Sequence, residues 1–193
     1  MKNSTSNTSR PLRYILLDTN IFTNLNNKQL NEQITFLLQD AVSKGYGLGI
    51  SQLSIFELLD SASLQNEIKA FSIISGLKQF KILQGVLITA GHLGCLYSED
   101  GIDYQKHPQI GDKIIAATAI VNNAVILTFN GRHFPTPFFK IISTNALKYK
   151  QDGGRESYQV CYFLEPDIDI IKKKYDSRLP NKNNAPQSDN KPE

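Results

Sequence analysis

GDKIIAATAIVNNAVILTFNGRHF, residues 111–134, is the stretch whose reading decides the fold. Asp112 opens a helix over Lys113–Val121. Its small residues Ala116, Ala117, Thr118 and Ala119 let the helix backbone lie close against a sheet. Asn122 and Asn123 interrupt the apolar run, and Val125-Ile126-Leu127-Thr128 reads as a short strand buried on both faces, followed at once by Phe129 and Asn130. A strand apolar at every position belongs in a parallel sheet with helices on both sides.

The same pattern recurs to the N-terminal side. Tyr14-Ile15-Leu16-Leu17 is a buried strand that ends in Asp18-Thr19-Asn20, a turn or helix cap. Leu30, Ile34, Leu37, Leu38, Ala41 and Val42 keep helical spacing across 29–44, and Gly45 stops them. Leu48–Ser51 reads as a second strand, with a helix after it through Phe56, Leu58 and Leu59. A helix over 66–77, a strand over 80–83, a helix over 88–96 and a polar loop over 98–111 complete the part before Asp112. Phe138–Ile142 is expected to be the last core strand. This alternation predicts an α/β domain, an open and mostly parallel sheet with helices on both faces.

Four segments follow from composition: a disordered polar leader over 1–11, a domain over 12–150, an extension over 151–178 and a disordered tail over 179–193. In the extension, Tyr158, Val160, Tyr162 and Leu164 alternate with Gln159, Cys161 and Phe163 as a strand requires, and Glu165-Pro166-Asp167 can start a helix through Lys174. A strand and short helix packed back onto the domain are expected here.

The 193 residues carry a net charge of +3, a tilt toward polyanionic partners well short of a basic nucleic-acid arm. The two cysteines, Cys95 and Cys161, have no metal-ligand spacing and read as buried free thiols. No stretch reads as a signal peptide or a membrane span, so a cytoplasmic protein is expected.

Three acids occupy equivalent places: Asp18 after the first strand, Glu57 in the helix after the second, and Asp112 ahead of the strand ending at Thr128. Parallel strands share one carboxyl edge, where open α/β sheets bind ligands, so the three side chains can meet in one cleft. Clustered carboxylates either raise a pKa or hold a cation. Ligands that are all oxygen point to Mg²⁺ or Mn²⁺, and such a site suits phosphodiester hydrolysis. Capping offers the competing account: Asp18 and Asp112 as helix caps, and Ser54-x-x-Glu57 as a capping box. Ser, Thr and Asn cap as well as Asp, so capping explains a polar residue at each place but not an acid at all three.

LLDTNIF at 16–22, SIFELL around Glu57 and the block at 111–134, taken in order, resemble the PIN-domain family, and within it the VapC-type toxin ribonucleases. The resemblance covers residues 13–145. It implies a metal-dependent endoribonuclease acting on RNA, with Asp18, Glu57 and Asp112 as the acidic cluster, Asn130 at a fourth site, and Asn20 and Thr128 as polar supports. It also implies an antitoxin partner and a homodimer. Asn130 stands where many relatives carry Asp. A PIN-fold module that binds RNA or protein without cleavage is the alternative. A phosphoryl-accepting signalling domain would need a second acid beside Asp18, and a phosphatase of the Asp-x-Asp kind would need an acid where Asn20 stands.

Overall fold

In the computed structural model, residues 13–60, 62–102, 108–151 and 153–179 are described. The leader at 1–11, Asp103 and His107 in the central loop, and the tail beyond Leu179 lie outside them.

The elements in chain order are β1 (Tyr14–Leu17), α1 (Thr19–Leu25), α2 (Asn31–Ser43), β2 (Gly47–Ser51), α3 (Gln52–Leu59), α4 (Leu64–Ile74) and β3 (Lys78–Phe80). They continue with α5 (Gln84–Glu99), α6 (Ile110–Val121), β4 (Val125–Thr128), a 3-10 turn (Gly131–His133), β5 (Phe139–Lys150), β6 (Glu156–Pro166) and α7 (Ile168–Asp176). The sheet order is β3-β2-β1-β4-β6-β5. β3, β2, β1 and β4 are parallel, and β6 runs antiparallel to both of its neighbours. The expected α/β architecture is present.

Successive residues of each strand face opposite sides, so β1 and β4 feed two cores. Leu16 and Ile126 point toward α5 and α6, where they pack with Leu93, Leu96 and Ala116. Ile15, Leu17, Val125 and Leu127 point toward α1 and α2, against Ile21, Ile34 and Leu37. Burial on both faces is what the unbroken apolar strands require.

Several boundaries differ from expectation. The third strand lies at Lys78–Phe80 rather than 80–83, because Ile82 and Leu83 lead into α5, which starts at Gln84 and extends to Glu99. The loop expected over 98–111 is shortened from both ends, since α6 begins at Ile110. The turn after Asp18 is a two-turn helix.

The largest difference is at the C-terminal end. β5 runs over twelve residues instead of stopping at Ile142. β6 does not join an outer edge but sits between β4 and β5. Its Cys161 and Leu164 are fully buried, one in each core. The outer edge of β5 is closed near its end by side chains. Gln29 exchanges hydrogen bonds with the backbone of Lys150 at 2.6 and 3.1 Å, and Gln33 with that of Lys148 at 2.8 and 3.0 Å. Two amides four residues apart thus stand in for a neighbouring strand and blunt an edge open to aggregation.

α7 is latched onto α5. The rings of Tyr175 and His92 lie 4.4 Å apart, Lys174 pairs with Asp100 at 2.6 Å, and Arg178 with Glu99 at 2.8 Å. Glu99 and Asp100, at the end of α5, thus anchor the C-terminal helix. Cys161 is buried as expected, but Cys95 is exposed on α5.

Candidate active site

Asp18 sits where β1 ends, in register with the end of β4, and its side chain is only 5% exposed. It makes no side-chain capping bond at the start of α1. Instead its Oδ2 accepts from Thr128 Oγ1 and from Asn20 Nδ2, both at 2.6 Å. Asn20 also donates to Thr128 Oγ1 at 3.0 Å and accepts the Phe129 amide at 3.1 Å, and Thr128 Oγ1 accepts the Asn130 amide at 2.8 Å. Two strand ends are thereby tied together by Asp18, Asn20 and Thr128.

Glu57 is held from a different side. Its carboxylate accepts the hydroxyl of Thr19. The cap of α3 is Ser51, whose Oγ accepts the Ser54 amide at 3.0 Å, so the Ser54-x-x-Glu57 capping box does not form. Capping leaves Glu57 unexplained. Its Oε1 would stand 3.1 Å from a Cβ placed at Gly111, so a side chain there would press the Glu57 carboxylate aside by a few tenths of an ångström.

Asp112 does not open α6 but occupies its third position. Gln109 is the cap, and its amide donates to Asp112 Oδ2 at 2.8 Å in a reciprocal capping box. The other oxygen, Oδ1, lies 3.0 Å from His133 Nδ1. His133 reaches Asn130 Nδ2 at 3.5 Å, which closes a circuit of polar contacts from Asp18 through Thr128, Asn130 and His133 to Asp112. Thr19, Gln109 and His133 were not legible as site partners. The only signals were adjacency to Asp18, a position three before Asp112 and a position three after Asn130.

Charge in this circuit is poorly compensated. Burial drives the Asp18 pKa upward from its ordinary 3.8, the Thr128 hydrogen bond and the Thr19 amide oppose this, and the charges of Asp112 and Glu57 add to the rise, leaving it at about 6. Beside them the fully buried Tyr97 hydroxyl has no hydrogen-bond partner among the described residues, and burial together with the Asp112 charge keeps it protonated. Among the described residues, no three His, Cys, Asp or Glu side chains converge to hold a metal ion as they stand. Each acid is instead engaged by a neighbour from its own surroundings. In kind the donors suit a hard divalent cation: they are oxygens, and mutual repulsion raises one of their pKa values.

A cavity of about 740 Å³ lies elsewhere, between α2 and α4, and none of these acids lines it. The polar circuit occupies the carboxyl edge of the sheet, where open α/β folds bind their ligands.

An α/β domain with acids gathered at the carboxyl edge of a parallel sheet is the class this geometry defines. The PIN domain family matches residues 15–137, and the chain belongs to that family. No curated protein sequence matches it. Among solved structures, the DNA-bound VapBC from Salmonella typhimurium is similar with a TM-score of 0.51 and 23% identity, covering 66% of this chain and 94% of that one. A toxin–antitoxin complex from Klebsiella pneumoniae gives 0.51 and 20%, covering 64% and 92%. VapBC-1 from nontypeable Haemophilus influenzae gives 0.50 and 20%, covering 63% and 90%. At these identities the likeness is one of fold.

The geometry makes Asp112→Asn informative. An amide oxygen still accepts the Gln109 amide, so the cap persists, while the carboxylate contact with His133 and the repulsion of Asp18 both disappear. Stability is expected to change by less than about 1 kcal/mol. Were Asp112 a ligand of a catalytic metal, its loss would cost cleavage at least about a hundredfold, since loss of a mere neighbour of such ligands costs roughly 10–100-fold. A melting curve and a cleavage assay on one preparation check both. A large fall in melting temperature with cleavage intact would assign Asp112 to capping alone.

Proposed function

We propose that the chain is a divalent-metal-dependent endoribonuclease that hydrolyses RNA phosphodiester bonds at Asp18, Glu57 and Asp112. The observation that carries this reading is the placement of the buried Asp18 carboxyl, whose pKa is raised to about 6 chiefly by burial and further by the charges of Asp112 and Glu57. Two capping bonds that would have explained acids in this sequence, at Asp18 and at Glu57, are not made. A cation offsets both the burial of such a carboxyl and its repulsion by neighbouring acids, which supports a metal site here.

Asp18, Glu57 and Asp112 would hold Mg²⁺ or Mn²⁺. When bound, the ion would supply Lewis acidity toward a phosphoryl oxygen and offset the negative charge that develops on the phosphoryl oxygens and the leaving ribose oxygen in hydrolysis. The chain's own groups set the stage for this. Thr128 and Asn20 fix the Asp18 carboxylate, Thr19 orients Glu57, and the Gln109 amide anchors Asp112. Asn130 lends an amide oxygen at the fourth place, without the charge that an Asp would add there.

The fold neighbours are toxin–antitoxin complexes, which supports placing this chain as the toxin of such a pair with an antitoxin protein as partner; a cytoplasmic location and a second copy of the chain belong to the same proposal. Among the described residues no helix is long and apolar enough to cross a membrane. Exposed Phe36, Phe56, Ile68 and Phe71 offer apolar surface for a protein partner.

The second reading, a module that binds RNA or protein without cutting, is favoured by the engagement of both Asp112 oxygens and by the lack of three converging ligands. Metal removal separates the two. Cleavage of single-stranded RNA is expected to stop in a chelator and to return with Mg²⁺ or Mn²⁺, read on a denaturing gel. Cleavage that persists in the chelator, or never occurs with either ion, would remove the metal-dependent nuclease.

A further inference from the structure

The β5–β6 ribbon is much longer than the parallel strands beside it. β6 pairs with β4 only at Tyr162–Leu164, opposite Thr128–Ile126, and runs antiparallel to it. Residues 156–161 of β6, paired with 145–150 of β5, therefore continue past the carboxyl edge of the sheet by roughly 20 Å at 3.3 Å per residue. This projection starts at the level of Asp18 and Thr128, beside the acidic cleft.

Its two faces are unlike. Leu147, Tyr149 and Cys161 belong to the core on the α1–α2 side, and Gln29 and Gln33 close the edge there. The opposite face carries Tyr162, Val160 and Tyr158 on β6, with Lys148 directly across from Tyr158, and Lys150 one step further out. Tyr158 is 60% exposed although it sits in a regular strand, whereas Tyr162 is half-buried. The inner end of this face reaches the site: a Cβ at Gly131 would stand 3.0 Å from the Tyr162 ring, next to Asn130. Lys148 is tied to Glu156 at 2.7 Å, so contact with phosphate falls to Lys150 and to Arg155 in the turn.

We propose that this open face is a binding track for single-stranded RNA, with bases stacking on Tyr158 and the backbone meeting Lys150, that feeds the strand past Tyr162 to the acidic cleft. The inference rests on the nuclease reading for its choice of RNA. Two rings about 13 Å apart on one face of a strand, with a lysine beside the outer one, match the stacking and backbone contacts that single strands use. Continuity with Asn130 distinguishes this face from an apolar patch for a protein.

The test is anisotropy of a labelled single-stranded oligoribonucleotide with the full chain in a chelator, where no cleavage is expected. Tyr158→Ala should weaken binding roughly tenfold. Tyr158→Phe, which keeps the ring, should bind as wild type. Lys150→Ala should lower the slope of log affinity against log salt by about 0.7. Both side chains are exposed, so melting temperatures should not move. With Mg²⁺ or Mn²⁺ restored, Tyr158→Ala should raise KM and spare kcat. No binding by wild type, or equal affinity and salt slope in all four proteins, overturns the track, including the case where the face serves a protein partner. Wild type that binds through Tyr158 without cutting keeps the track and removes the nuclease. Cleavage indifferent to Tyr158 and Lys150 does the reverse.

Discussion

A chain ending at Lys150 is expected not to fold. β6 lies between β4 and β5, so removing it exposes the backbone edges of both and detaches β5 from the sheet. Cys161 and Leu164 are lost from the two cores, and half-buried Tyr162 and Phe163 go with them. Each large apolar side chain contributes about 1.5–3 kcal/mol on burial. The total, with the unpaired strand edges, approaches the roughly 5–15 kcal/mol that holds a domain of this kind together. Ending the chain after Asp167 should be far milder. It removes α7, which has no fully buried residue, and keeps the pair between Lys140 and Asp167 at 2.6 Å. Urea unfolding followed by circular dichroism distinguishes the cases: no cooperative transition for the first, a lowered midpoint for the second. A cooperative transition in the chain ending at Lys150 would mean that β4 can serve as a stable edge.

The same strand marks where sequence reading stops. The alternation of Tyr158 to Leu164 identifies a strand, because period-two burial is a local property. Its neighbours are set by pairing across distant segments, and nothing in residues 156–166 states whether they join an edge or enter between two strands. β5 was harder still. Most of Lys140–Lys150 is exposed or half-exposed, so only its first residues carry the apolar signal, and the rest is held by β6 and by the amides of Gln29 and Gln33.

The acids were legible for the opposite reason. Asp18, Glu57 and Asp112 each follow or precede an unmistakable buried strand, and a parallel sheet leaves few places for such residues to go. What could not be read was how each is held. Ser51 and Ser54 are equally good caps on paper, and only the end of β2 at Ser51 decides between them, freeing Glu57 for Thr19. The pairing of His133 with Asp112 depends on a 3-10 turn that Gly131 permits by letting the Tyr162 ring lie close beneath it.

Asp18→Asn should make the metal-free protein more stable while abolishing cleavage. In the folded chain the Asp18 carboxyl titrates at about 6, and unfolding returns it to about 3.8. Between those values the folded chain holds a proton that the unfolded chain has lost. Stability from this group is therefore present below pH 3.8 and falls as pH rises through 6. The difference corresponds to about 3 kcal/mol by pH 7. Asn has no such titration, and its side-chain oxygen can still accept from Thr128 and Asn20. A gain on the order of 2 kcal/mol at pH 7 should raise the melting temperature by roughly 4–8 °C in a chain of this length. At pH 4 the two proteins should melt together. Other groups titrate in the same range, so the decisive quantity is the difference between variant and wild type, measured in a chelator from pH 4 to 8. Mg²⁺ or Mn²⁺ at pH 7 should then raise the wild-type melting temperature more than that of the variant, which keeps only Glu57 and Asp112 as charged ligands. A difference that is flat with pH would show that Asp18 is not strained by its neighbours, and the observation on which the nuclease reading stands would fall with it.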